Sequence, residues 1–156
     1  MTTKRIVIPY APRKLQATLH QELENHRWSV IVIHRRFGKT VMLLNHIIKD
    51  ALTSTKQQPR YAYIAPFFKQ AKQLAWDYLK YYCDPIPGRV FMESELRVDL
   101  PNGARIRLYG ADNPDSLRGL YLDGAVLDEY AQIDPVLFSS ILRPALSDRL
   151  GWCVFS

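Results

Sequence analysis

Two short segments of the sequence carry residue types that handle phosphate groups. The first is Gly38-Lys39-Thr40, which follows the apolar run of residues 29–33 and precedes a helical pattern. A glycine lets the backbone turn so that N–H groups face phosphate oxygens, and the positive end of the next helix adds to that field. Lys39 can reach the terminal phosphates, and the Thr40 hydroxyl can ligate Mg²⁺. The segment matches the end of the pattern G-x-x-x-x-G-K-[ST], with Ile33 in place of the first glycine.

The second segment is the pair Asp128-Glu129 at the end of an apolar strand over residues 124–127. Asp128 suits the role of holding a Mg²⁺ shell, and Glu129 suits that of a general base that polarises an attacking water. Two acids at a strand end can also be simply solvated. A phosphotransferase has less need of a base for water, so the pair favours hydrolysis of a nucleoside triphosphate.

Further polar side chains could complete such a site. Arg36 and Phe37 lie in the phosphate loop and are expected to line the nucleotide, while Arg35 either points at the γ-phosphate or forms a solvated pair with Arg36. The amide of Gln16 can both donate and accept, so it could pair with adenine N6 and N7, or it is a surface side chain on a short helix. Arg118 precedes a glycine and lies close enough in sequence to Glu129 to reach its own site or that of a neighbouring subunit, unless it is a plain surface arginine.

The elements that would position these residues alternate along the chain. The run 29–33 is rich in β-branched residues and predicts a strand buried on both faces, and residues 39–52 predict a helix with one apolar face. Pro66 can open a second helix, whose predicted buried face comprises Ala71, Leu74, Ala75, Tyr78, Leu79 and Tyr82. Further strands are predicted over 60–65, 125–127 and 152–155, a hairpin over 96–109 and a helix from Pro135 to Leu142.

This alternation of strands and helices predicts an α/β fold, with a mostly parallel sheet, helices on both faces and one β-hairpin. The hairpin arginines Arg97, Arg105 and Arg107 could touch DNA phosphates, or they could form an ordinary solvent-facing side. Cys83 and Cys153 lack the spacing of a zinc or redox site, and the histidines lack the H-E-x-x-H pattern of a helical zinc hydrolase.

Composition narrows the class of protein further. The chain has 156 residues and a formal net charge of +6, which invites a polyanionic ligand. The excess of positive residues falls in residues 1–50, which include Arg35, Arg36 and Lys39 of the proposed phosphate loop. It therefore favours a nucleotide as the ligand over DNA. No apolar run is long enough to span a bilayer or to form a signal peptide, so we expect no membrane association.

In the order of its motifs, the sequence resembles the N-terminal ATPase domain of the large subunit of viral DNA-packaging terminases, as found in tailed bacteriophages. The segment after the second predicted strand, Ile64-Ala65-Pro66, also resembles these motors and related helicases. Four segments carry the resemblance, namely Pro12…Gln16, Arg35-Arg36-Phe37-Gly38-Lys39-Thr40, Ser116-Leu117-Arg118-Gly119 and Val126-Leu127-Asp128-Glu129.

The resemblance implies a RecA-like P-loop ATPase fold that uses ATP and Mg²⁺ to drive double-stranded DNA into a procapsid. It implies a ring of identical subunits on the procapsid, a terminase small subunit and a portal protein as partners, and a location in the host cell cytoplasm. By motif match, Arg35 would sense the γ-phosphate within its own subunit and Arg118 across the ring.

Two family features are expected beyond this sequence. The coupling motif of the family would begin near Ser156, and a metal-dependent nuclease domain would follow it. We therefore expect residues 1–156 to be a single ATPase domain that is truncated at its C-terminal end. The sequence is also compatible with two other functions, a helicase-type ATPase acting on nucleic acid and a module that binds nucleotide or nucleic acid without hydrolysis.

Overall fold

A computed structural model describes residues 5–156 of the chain. In this part of the chain, strands join into one sheet in the order β1-β7-β6-β2-β5-β4-β3. β1, β7, β6, β2 and β5 run parallel, whereas β3, β4 and β5 are antiparallel neighbours. The strands are β1 (Trp28–Val30), β2 (Arg60–Ala65), β3 (Val90–Met92), β4 (Arg97–Asp99), β5 (Arg105–Gly110), β6 (Gly124–Leu127) and β7 (Trp152–Phe155).

Helices cover both faces of this sheet. One core contains buried side chains of α1, α2, α3 and α4, and a second core lies under α5 and α6 on the opposite face. The predicted α/β architecture, with its mostly parallel sheet and its hairpin, is therefore confirmed. The helices are α1 (Lys14–Asn25), α2 (Lys39–Thr53), α3 (Phe68–Ala71), α4 (Asp77–Cys83), α5 (Pro135–Leu137) and α6 (Arg143–Ser147), with π-helical turns at Lys72–Trp76 and Phe138–Leu142.

The first strand differs from its prediction. β1 covers only Trp28–Val30 and lies at the edge of the sheet, where it pairs with β7. Val30 and Val32 are 75% and 92% exposed, while Ile31 between them is buried. The expectation of a strand over 29–33 with both faces buried is wrong because a strand with one neighbour packs only its inward side chains.

The helix after β2 also differs from its prediction. The π-helical turn Lys72–Trp76 lies between α3 and α4 and adds one residue to the helical repeat. Ala71, Ala75 and Leu79 are buried as predicted, but Leu74 and Tyr78 are 46% and 48% exposed. The added residue rotates the following turn, so that Trp76 and Cys83 fill the core instead.

The arginines of the hairpin have partners within the hairpin. Arg97 pairs with Glu95, and Arg105 Nε lies 2.7 Å from Asp99 Oδ1. The Arg107 guanidinium stacks over the Tyr109 ring at 4.9 Å. The carboxylate partners offset the charges of Arg97 and Arg105, whereas Arg107 keeps its charge. A role of these arginines in touching DNA stays a prediction. Among residues 5–156, no helix has the length and apolar character needed to cross a membrane.

Candidate functional site

The phosphate loop lies between β1 and α2 and forms one wall of a cavity of about 550 Å³. Arg36 and Gly38 adopt left-handed backbone conformations, with φ values of 66° and 83°. These two residues turn the chain twice before α2 begins at Lys39, where the Gly38 carbonyl accepts the first helical hydrogen bond. The cavity is lined by residues 33–41, Leu74, Tyr78 and Glu129.

Phe37 anchors the loop to α1. Its side chain is buried, and its carbonyl oxygen accepts hydrogen bonds from Arg13 Nη2 and, at 3.2 Å, from Gln16 Nε2. Gln16 is itself buried, and its Oε1 accepts from the backbone N–H of Arg13 at 2.9 Å, which caps the start of α1. A Cβ at Gly38 would lie 3.0 Å from Gln16 Nε2, so even a methyl group there would press on this contact.

The structure brings the two predicted motifs together. Lys39 Nζ lies 3.2 Å from Asp128 Oδ1 and 3.7 Å from Glu129 Oε1. β7 lies between the strand that precedes the loop and β6, which carries the two acids at its end. Because the carboxyl ends of parallel strands meet at one edge of a sheet, residues that are distant in sequence meet there.

Asp128 is a buried carboxylate that several groups hold in place. It is 3% exposed, and its Oδ1 accepts from the Glu129 backbone N–H at 3.0 Å and from Ser156 Oγ at 3.3 Å. Its Oδ2 accepts a hydrogen bond from the Tyr63 phenol on β2. A buried carboxylate needs such partners, since an unpaired one loses its hydration without compensation.

Glu129 has a different environment from its neighbour. Its backbone is left-handed, with φ of 53°, and its side chain is 48% exposed at the edge of the cavity. The chain turns here because β6 ends at Leu127 and a short 3₁₀ turn begins at Tyr130. One acid is therefore fixed and buried while the other can reach a solvent molecule, which suits two separate chemical tasks.

The oxygen donors at the start of α2 and the end of β6 fit a hard divalent cation. Thr40 supplies a hydroxyl, Asp128 supplies a carboxylate, and magnesium prefers oxygen ligands of this kind. Both residues border Tyr63: burial raises the pKa of its phenol well above the ordinary value, the charge of Asp128 raises it further, and Thr40 acts in the opposite direction. The phenol therefore stays protonated and donates to the carboxylate.

The predicted arginines lie in two different places. Arg35 and Arg36 are exposed and line the phosphate-loop cavity. Arg118 lines a different groove, beside α6, and its Nε lies 3.0 Å from Asp115 Oδ1 with the side chain 63% exposed. The structure thus does not bring Arg118 to the cavity of its own chain.

Sequence reasoning missed several residues of this site. Tyr63 was not selected, although a phenol within an apolar strand must find a hydrogen-bond partner when buried. Arg13 stands inside the Pro12…Gln16 segment, yet its bond to the loop could not be foreseen from spacing alone. Leu74, within the π-helical turn, and Tyr78, just after it, line the cavity although both were predicted to face the core.

Comparison with known proteins agrees with this geometry. Over 62 residues the chain is 40% identical to the terminase large subunit of Thermus phage G20c, a stretch that covers 36% of this chain and 13% of that protein. Its fold matches the large terminase ATPase domain of Thermus phage P74-26 with a TM-score of 0.78 and 24% identity, covering 96% of this chain and 66% of that one. By sequence and by fold, this chain resembles the ATPase domain of a phage terminase large subunit.

The resemblance to terminases extends to a nucleotide complex. The large terminase of a thermophilic bacteriophage, in complex with ATP-γ-S, matches with a TM-score of 0.68 and 13% identity, covering 91% of this chain and 36% of that one. The chain thus shares the fold of these terminase domains, a mostly parallel sheet with helices on both faces, as the resemblance implied. No protein-family model matches the chain. The chain spans less than two thirds of the length of these terminase relatives.

Proposed function

We propose that this chain is the ATP-hydrolysing motor domain of a terminase large subunit. The observation that carries the proposal is the position of Lys39, which begins a helix behind a left-handed glycine. Its Nζ lies 3.2 and 3.7 Å from the two acids at the end of β6. A lysine placed there can exchange its carboxylate partners for the terminal phosphates of a nucleotide.

Each of the other loop residues has a role in binding. Backbone N–H groups at the start of α2 and the positive end of that helix would stabilise phosphate oxygens. The phosphates would contact the loop at Arg36, Phe37 and Gly38. Gln16 would contact adenine through the amide N–H and the oxygen lone pair that its bonds to the loop and to α1 do not use. Arg35 lines the same cavity and would place its charge near the γ-phosphate.

Glu129 is proposed as the general base. Its exposed carboxylate at the cavity edge can accept a proton from a water molecule that attacks the γ-phosphorus. Asp128 is less suited to this task, because its carboxylate is 3% exposed and has little access to a free water molecule. The different surroundings of the two acids support this division of roles.

Thr40 and Asp128 are proposed to hold Mg²⁺, directly or through its water molecules. When bound, the ion would neutralise negative charge on the β- and γ-phosphates. Thr40 lies one residue after Lys39, and Lys39 contacts Asp128, so all three groups can reach one nucleotide. Arg118 is proposed to act on the ATP of a neighbouring subunit, because it is exposed and lies outside the lining of its own phosphate-loop cavity.

The activity of the whole protein is likewise a proposal. By resemblance to the terminase relatives, ATP hydrolysis would drive double-stranded DNA into a procapsid from a ring of subunits. Portal protein and terminase small subunit would be its partners, and host cytoplasm its location.

Nucleotide binding by Lys39→Ala tests the assignment of the phosphate loop. We expect the variant to keep its circular dichroism spectrum but to lose ATP-γ-S binding and phosphate release. Lys14→Ala, which removes an exposed lysine at the start of α1, is the matched control and should behave as wild type. Normal ATP turnover in Lys39→Ala would show that the phosphate loop is misassigned.

A further inference from the structure

We propose that Tyr63 is the positioning residue for Asp128, holding one carboxylate oxygen so that the other faces the nucleotide and its metal ion. The inference rests on the proposed function of the site. Tyr63 lies on β2, is fully buried and donates a hydrogen bond to Asp128 Oδ2. It would act through Asp128 and would not itself touch the nucleotide.

The register of the sheet sets this contact. β2 and β6 are parallel neighbours in which Tyr63 pairs with Val126, and the Asp128 backbone N–H donates to the Ile64 carbonyl at 2.9 Å. The backbone of Asp128 is thereby tied to β2 beyond the last residue of β6. The long phenol of Tyr63, one residue before Ile64 on β2, then reaches the Asp128 side chain from within the core.

The two oxygens of Asp128 have different partners. Oδ2 faces the buried phenol, whereas Oδ1 lies 3.2 Å from Lys39 Nζ and also accepts from Ser156 and the Glu129 backbone. Without the phenol, Oδ2 would be buried with no hydrogen-bond donor, and the carboxylate would tilt away from its present orientation to find one. Partners behind a metal-ligating carboxylate typically change metal affinity about 10–100-fold when they are removed.

A neighbouring tyrosine provides a matched control. Tyr61 lies two residues earlier on β2, on the same face, and is also buried. Its phenol lies by Asp50 and Ser54, away from the phosphate loop. Tyr61→Phe and Tyr63→Phe therefore remove the same atom from the same strand, at two places that differ in their relation to Asp128.

The experiment measures the affinity of each protein for ATP-γ-S by calorimetric titration, in excess Mg²⁺ and in EDTA. We expect Tyr63→Phe to bind ATP-γ-S as tightly as wild type in EDTA. The increase in affinity on adding Mg²⁺ should be about tenfold smaller in Tyr63→Phe than in wild type. For phosphate release, it should need about tenfold more Mg²⁺ for half-maximal rate while approaching the wild-type rate at saturation. Tyr61→Phe should match wild type in both conditions, and thermal unfolding without nucleotide verifies that both variants are folded.

Two results would overturn the positioning role. One is that Mg²⁺ increases the ATP-γ-S affinity of Tyr63→Phe by as much as it does for wild type. The other is that this increase is reduced equally in Tyr63→Phe and Tyr61→Phe, which would reflect the packing of β2 in general. Failure of the proposed function looks different, because wild type itself would then bind no ATP-γ-S in either condition. That result would remove the role of Tyr63 together with the site.

Discussion

The ammonium group of Lys39 lies 3.2 Å from Oδ1 of the buried Asp128, which places the start of α2 in direct contact with the end of β6. The two residues follow strands that are separated in the sheet by β7. This ion pair compensates the charge of a carboxylate that is 3% exposed. Binding of phosphates would draw the lysine away and leave the carboxylate available for a metal ion.

The first prediction concerns the left-handed glycine of the phosphate loop. Gly38 and Gly119 have φ values of 83° and 75°, so alanine at either position should cost about 1–2 kcal/mol of unfolding free energy. Only at Gly38 would the added Cβ meet other atoms, because it would lie 3.0 Å from Gln16 Nε2 while Gly119 has open space. We expect urea unfolding to show similar losses for the two alanine variants, whereas ATP-γ-S titration shows weaker binding only for Gly38→Ala. Equal nucleotide affinities in the two variants would contradict the proposed role of Gly38 in the phosphate-binding loop.

The second prediction separates two roles of Gln16. Its amide holds the Phe37 carbonyl and caps α1, but it keeps a free N–H and a free lone pair that could contact adenine. If it contacts the base, Gln16→Ala should lose affinity for ATP and little for GTP, as measured by competition against a fluorescent nucleotide. Gln21→Ala, an exposed glutamine on the same helix, should change neither affinity. An equal loss for ATP and GTP would mean that the amide only holds the loop.

The third prediction concerns Arg118. If it acts on a neighbouring subunit, phosphate release per molecule should rise with protein concentration in wild type. In Arg118→Ala the rate at high concentration should fall at least about tenfold, since an arginine supplied to the γ-phosphate contributes about 10³–10⁵ in rate. Arg89→Ala removes another arginine that pairs with a nearby carboxylate, Asp84, and should leave the rate unchanged. A wild-type rate that does not depend on concentration would remove the proposed role.

The fourth prediction concerns a pair of histidines between α1 and α2. His20 Nδ1 and His46 Nδ1 are 3.0 Å apart, so one ring must accept a hydrogen bond and be neutral there. Burial, then the charge of a protonated His20, lowers the pKa of His46 to about 4, with Asp50 and Glu24 acting in the opposite direction and Lys49 in the same one.

Because the folded state holds His46 neutral, its contribution to stability is complete above the unfolded pKa of about 6.5 and is lost as the pH falls from there towards 4. The loss amounts to about 3 kcal/mol of unfolding free energy when each pKa unit counts about 1.4 kcal/mol. In urea unfolding at pH 7.5 and pH 5, His46→Gln should show a smaller difference between the two pH values than wild type. His26→Gln, at an exposed position, should keep the wild-type difference. If the unfolding free energy of His46→Gln differs between pH 7.5 and pH 5 by as much as that of wild type, then another group causes the loss of stability in acid.

The sequence predicted the partners in the ion pair more reliably than the contacts around them. Lys39 and Asp128 each lie in a short motif, and the carboxyl ends of parallel strands meet at one edge, so local patterns were sufficient. Tyr63 could not be predicted in the same way, because its contact depends on the register between β2 and β6. The exposure of Tyr78 depends on a π-helical turn, which adds a residue without altering the apolar character of the segment.

Phosphate release by wild type and Glu129→Gln tests whether this chain hydrolyses ATP with Glu129 as the general base. The substitution removes the carboxylate with little change in shape, so ATP-γ-S binding should persist. We expect wild type to release phosphate well above background and Glu129→Gln to fall to background while still binding nucleotide. Equal, background-level release by both proteins, with nucleotide binding intact, would contradict the account and indicate a module that binds nucleotide without hydrolysing it.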